Sequence, residues 1–81
     1  MPRVLVVDDD ASIVKVLADV CAGMGLEVET ALDGVQALAK LREWRADLML
    51  LDLAMPRLDG FGVLERLRDE PLDPNPAVII V

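Results

Sequence analysis

Histidine and tyrosine are absent from this chain, and cysteine, phenylalanine and tryptophan occur once each. Without histidine and with Cys21 alone, no imidazole or thiolate set can hold zinc. A lone cysteine also excludes an internal disulfide and fits a reducing compartment, so the expected location is the cytoplasm. Basic residues are scarce: eight against fifteen acids, a formal net charge of -7. Arg66 and Arg68 are interleaved with Glu65, Asp69 and Glu70 rather than clustered. Direct nucleic-acid binding needs the opposite balance, so it is not expected. Long apolar runs are missing too; nothing approaches the roughly 18 residues of a membrane span. The start, Met1-Pro2-Arg3, lacks the small-residue cleavage site of a secretory signal.

What remains is apolar and acidic. With 54% hydrophobic and 28% charged residues the composition is globular, and 81 residues make one domain at most. Any metal here is held by oxygens, which points to Mg²⁺, Mn²⁺ or Ca²⁺.

Patterning predicts seven elements. Arg3 to Val7 is a short buried strand. Asp10 caps a helix from Ala11 whose apolar face is Ile13, Val14, Leu17, Val20, Cys21 and Met24, with Gly25 closing it. Leu26 to Thr30 alternates apolar and acidic residues, an edge strand with one wet side. Asp33 caps a second helix with Gln36 in the capping-box position; Val35, Leu38, Ala39 and Leu41 or Arg42 form its expected buried stripe. Trp44 is expected over the sheet rim. Asp47 to Leu51 is apolar on both faces, hence central. Asp59-Gly60 turns into a third helix with Phe61, Val63, Leu64 and Leu67 on its apolar side, ended by Pro71. Ala77 to Val81 is a fourth strand. The alternation βαβαβαβ predicts an α/β domain on a parallel sheet.

The chemistry sits at two strand ends. Val4-Leu5-Val6-Val7 runs into Asp8-Asp9-Asp10, and Leu48-Met49-Leu50-Leu51 runs into Asp52. In a parallel sheet all carboxyl ends lie along one edge, where ligands bind. If these strands are neighbours at about 4.8 Å, their acids share a pocket. Carboxylates that close repel, at least one pKa rises, and a divalent cation relieves the cost while offering a place for a phosphoryl group. Asp52 is the nucleophile candidate, since a carboxylate can accept a phosphoryl group. Asp9 is the direct metal ligand in this reading, Asp8 binds directly or through a metal-bound water, and the backbone carbonyl of Ala54 adds a third protein ligand. Asp10 reads as a helix cap, Asp59 as turn chemistry and Cys21 as a buried helix residue. No glycine-rich nucleotide loop with a Walker lysine is present.

These pieces resemble the receiver domain of bacterial two-component response regulators, the CheY-like family. The residues that carry the likeness are Val4 to Asp9, Asp33-Gly34 with Ala37-Leu38, Asp52-Leu53-Ala54-Met55-Pro56 with Asp59-Gly60, and Pro76 to Val81. The resemblance implies a three-layer flavodoxin-like sheet, incomplete here, with strand order 2-1-3-4. It implies Asp52 as phosphoacceptor, and Mg²⁺, with Mn²⁺ as substitute, on Asp9, Asp52 and the Ala54 carbonyl beside Asp8. The implied donor is a phosphohistidine on a sensor histidine kinase or phosphotransfer protein. A C-terminal output domain is implied for the full-length protein. Such domains catalyse their own phosphoryl transfer and hydrolysis without being enzymes in the usual sense.

By the same likeness, residues 1–81 are expected to be the N-terminal two-thirds of a receiver domain, truncated after the fourth strand. The family's switch Ser or Thr and its phosphoryl-binding lysine then lie outside this sequence. The open fourth strand and an uncovered first helix are expected to drive self-association. The competing expectation is an interaction or dimerisation module that works without phosphorylation. An aspartyl-intermediate phosphohydrolase is disfavoured, because no second acid stands two residues after Asp52.

Overall fold

A computed structural model describes Met1–Val81. Strands β1 (Arg3–Val7), β2 (Glu27–Ala31), β3 (Leu48–Leu51) and β4 (Ala77–Ile80) alternate with helices α1 (Ala11–Gly23), α2 (Gly34–Glu43) and α3 (Gly60–Asp69). All strand pairs are parallel, in the order β2-β1-β3-β4. This is the expected flavodoxin-like order. No helix is long and apolar enough to cross a membrane.

The side-chain alternation of a strand divides the core between two faces. Leu5 and Val7 of β1, with Met49 and Leu51 of β3, meet Ala37 and Leu41 of α2 and Val63 and Leu67 of α3. Val4 and Val6 point the other way, toward Val14 and Cys21 of α1. The sheet therefore lies between α1 and the α2–α3 pair. The α1 side is thinly covered: Leu48 and Leu50 are half-buried there, while their neighbours Met49 and Leu51 are fully enclosed.

Each helix starts where a side chain can satisfy its free amides. Asp10 Oδ1 accepts from the Ser12 and Ile13 N–H groups, Asp33 Oδ1 from Gln36 N–H, and Asp59 Oδ1 from Gly62 N–H. Gln36 Oε1 reaches back to Leu32 N–H, one residue before the cap. Helix α1 ends in a full Schellman motif. Gly25 takes φ 84°, its N–H donates to Ala22 C=O, and Leu26 N–H donates to Cys21 C=O. Trp44 is half-buried at the far rim of the sheet, with the Arg3 guanidinium 5.2 Å from its ring centroid.

Several expectations need correction. Strand β2 runs one residue later than read, Asp47 stands outside β3, and Val81 outside β4. Asp47 instead accepts a hydrogen bond from Arg3 N–H. On α2 the buried residues are Gly34, Ala37 and Leu41, with Leu38 half-buried, whereas Val35 and Ala39 are exposed. The small residues face inward because α2 lies close against the loop before α3. Gly34 N–H donates to Leu58 C=O at 2.9 Å, and a Cβ at Gly34 would collide with that carbonyl. Phe61, read as core, is exposed at the start of α3. On α1 only Val14 and Cys21 are buried, with Leu17 partly so; Ile13, Val20 and Met24 face outward.

Candidate acidic site at the carboxyl edge of the sheet

The register of β1 and β3 pairs Val7 with Leu51, so Asp8 and Asp52 leave the sheet at the same level. The ladder continues one step beyond the strands. Asp52 N–H donates to Val7 C=O at 3.0 Å, and Asp8 N–H donates to Ala31 C=O at 3.2 Å. Both backbones are thereby pinned, and one carboxylate oxygen from each of Asp8, Asp9 and Asp52 falls within 4.8 Å of the others. Asp8 is buried, Asp52 half-buried and Asp9 exposed.

Hydrogen bonds from the backbone orient two of the three. Asp8 Oδ1 accepts from Asp10 N–H at 2.9 Å, which ties the pocket to the residue capping α1. Asp52 Oδ1 accepts from Ala54 N–H at 3.0 Å. Burial raises the Asp8 pKa above its ordinary 3.8; the Asp10 amide opposes the shift, and the charges of Asp52 and Asp9 add to it. A neighbouring positive charge would therefore relieve Asp8. Three clustered carboxylates, all oxygen donors, suit a hard divalent cation such as Mg²⁺.

The loop from Asp52 to Asp59 is held at several points. Met55 is buried in the α2–α3 core, and Gly60 N–H donates to Leu53 C=O at 3.1 Å. Arg57 has φ 66° and its Nη1 lies 3.1 Å from Asp33 Oδ2. Asp33 therefore caps α2 with one oxygen and grips the Asp52 loop with the other. Sequence patterning marks Asp33 as a cap only. No glycine or asparagine marks the left-handed position at Arg57, so nothing local announced the ion pair.

Asp8, Asp9 and Asp52 converge. Asp10 stands apart as a cap, and Asp59 caps α3. Ala54 is exposed beside Asp52 and contacts its carboxylate through the amide N–H.

A doubly wound parallel sheet with a carboxylate cluster at its carboxyl edge defines the class: an α/β domain built around an acidic pocket. The model of the response regulator receiver domain matches residues 4–81, and the chain belongs to that family. It is a CheY-like receiver domain of two-component signal transduction.

Among its relatives, the protein-glutamate methylesterase/protein-glutamine glutaminase 1 of Anaeromyxobacter dehalogenans is 45% identical over 78 residues, 96% of this chain and 22% of that protein. The DNA-binding response regulator MtrA of Mycobacterium tuberculosis is 48% identical over 66 residues, 82% of this chain and 29% of that protein. The chain thus spans less than a third of either relative. Among solved structures, the receiver domain of the Francisella response regulator 1452 superposes with a TM-score of 0.89 at 35% identity, covering 99% of this chain and 64% of that one. The response regulator TrrA of Thermotoga maritima, solved in complex with Mg(2+)-BeF, gives 0.83 at 35% identity, covering 99% and 66%.

Proposed function

We propose that this domain accepts a phosphoryl group on Asp52. The observation that carries the proposal is the convergence of Asp8, Asp9 and Asp52 within 4.8 Å. Asp9, Asp52 and the Ala54 carbonyl would hold Mg²⁺ (or Mn²⁺), with Asp8 bound directly or through water. Bound there, the ion would neutralise the acids and the incoming phosphoryl oxygens. The donor is a phosphohistidine of a sensor kinase or phosphotransfer protein. An Asp52 carboxylate oxygen forms a bond to phosphorus, the phosphorus–nitrogen bond of the donor breaks, and the nitrogen keeps the electron pair. The Ala54 amide keeps the Asp52 carboxylate oriented, and Asp8 sustains the negative field from its buried position.

Residues 1–81 correspond in this reading to the N-terminal two-thirds of a receiver domain, a proposal supported by the 64% and 66% coverage of the solved chains. The full-length protein would carry an output domain, as the two much longer relatives suggest, and act in the cytoplasm, where Cys21 stays reduced.

The test is intact-mass spectrometry after incubation with Mg²⁺ and acetyl phosphate. One phosphoryl group is expected on the full-length protein and none on its Asp52→Asn variant, while the 81-residue chain alone is expected to label slowly or not at all. A gain that survives Asp52→Asn, or no gain in the full-length wild type, overturns the assignment. A second reading, an interaction module independent of phosphorylation, draws on the exposed Ile13, Val16 and Val20 of α1. Partner binding unchanged in Asp52→Ala and without Mg²⁺ would favour it.

A further inference from the structure

Two clefts lie between α2 and α3. One of about 250 Å³ is floored by Leu38, Leu41, Leu67 and Leu72. The other, about 460 Å³, is lined by Val35, Leu38, Arg57 and Leu58. Both include Leu38, Arg42 and Arg66, so they form one continuous groove.

The charge of this groove runs against that of the molecule. In a chain with fifteen acids and eight bases, three of the arginines line it. Arg42 and Arg66 are exposed and form no ion pair, although Arg3, Lys15, Lys40, Arg57 and Arg68 each do. Arg57 pairs with Asp33 yet remains 61% exposed at its side chain. The one acid on the groove, Glu70, lies in the smaller cleft. Two unpaired guanidiniums beside an apolar floor repel each other and attract an anion that also carries apolar surface. A free inorganic anion would leave the leucines wet, and the groove is open along its length rather than enclosed. A helix laid between α2 and α3 satisfies both features.

We propose that the α2–α3 groove docks an acidic amphipathic helix of a partner protein, with apolar side chains over Leu38 and Leu58 and carboxylates on Arg42, Arg57 and Arg66. The acidic pocket plays no part in this recognition, so the proposal does not depend on phosphorylation of Asp52.

The probe is a labelled synthetic helix of about 15 residues with leucines spaced for one face and glutamates flanking them. Fluorescence anisotropy measures its binding to the 81-residue chain, and amide chemical shifts map where it binds. Binding is expected to shift residues of α2 and α3, to weaken with salt, and to be absent for the same peptide with lysines in place of glutamates. Arg42→Glu with Arg66→Glu should weaken it by about tenfold or more. Arg45→Glu with Arg68→Glu changes the net charge equally off the groove and should leave it within about twofold. Circular dichroism confirms that both double variants fold. Equal loss in the two variants, shifts confined to α1 or β4, or displacement by phosphate at constant ionic strength would each overturn the proposal. So would a chain whose self-association, rather than peptide binding, is lost in the Arg42/Arg66 variant, which would assign the groove to a second copy.

Discussion

Ionised Asp8 is a cost to the folded state, because burial and then the charges of Asp52 and Asp9 raise its pKa above 3.8. The native state holds this proton more tightly than the unfolded chain does. The cost is therefore full at neutral pH, shrinks as pH falls through the raised pKa, and is gone below the ordinary carboxylate value. Asp8→Asn keeps an oxygen for the Asp10 amide while removing the charge. It is expected to raise the urea midpoint at about pH 7 and to lose that advantage at about pH 4. The same charge crowding predicts the response to metal. Mg²⁺ at about ten times its dissociation constant should add about 1.4 kcal/mol, seen as a rise of several degrees in Tm. Asp9→Ala is expected to abolish most of that rise.

Two glycines show how the helices are held at their ends, and each fails for a different cause. Gly25 has φ 84° and open space where a Cβ would stand. Gly25→Ala therefore costs only the left-handed backbone penalty, about 1–2 kcal/mol, and Gly25→Asn less. Gly34 is constrained by contact instead: a Cβ there would meet the Leu58 carbonyl and, at 2.8 Å, Val63 Cγ2. Gly34→Ala is expected to cost about 1–3 kcal/mol and to disturb the loop that carries Asp52. Denaturant unfolding gives both costs, and amide shifts of residues 52–59 separate them, moving only for Gly34→Ala. Helix starts were readable from single residues, since Asp10, Asp33 and Asp59 bond amides two or three positions on. Helix rotation was not. Ala37 rather than Val35 faces the core from α2, because the loop at Leu58 lies so close to Gly34 that it fixes how the helix is turned.

Taken as one body, the molecule is unevenly clad. Strand β4 pairs only with β3, Ile79 and Ile80 are half exposed, and α1 leaves Ile13, Val16 and Val20 in water. Sedimentation of the 81-residue chain is expected to show a mass that grows with concentration, and Ile79→Lys should reduce that growth. A monomer across the micromolar range would count against it. The succession of strands and helices, the caps at Asp10 and Asp33 and the approach of Asp8 to Asp52 were legible from the chain, whereas Asp59, read as a turn residue, also caps α3. Strand patterning and capping are set within a few residues, and parallel alternation sends every strand's carboxyl end to one edge. Nothing in the chain alone revealed that Arg57 would grip Asp33, that Arg42 and Arg66 would share a groove, or that Phe61 would face solvent. Those outcomes depend on volumes and charges contributed by elements far apart in the sequence, which meet only after the sheet has assembled.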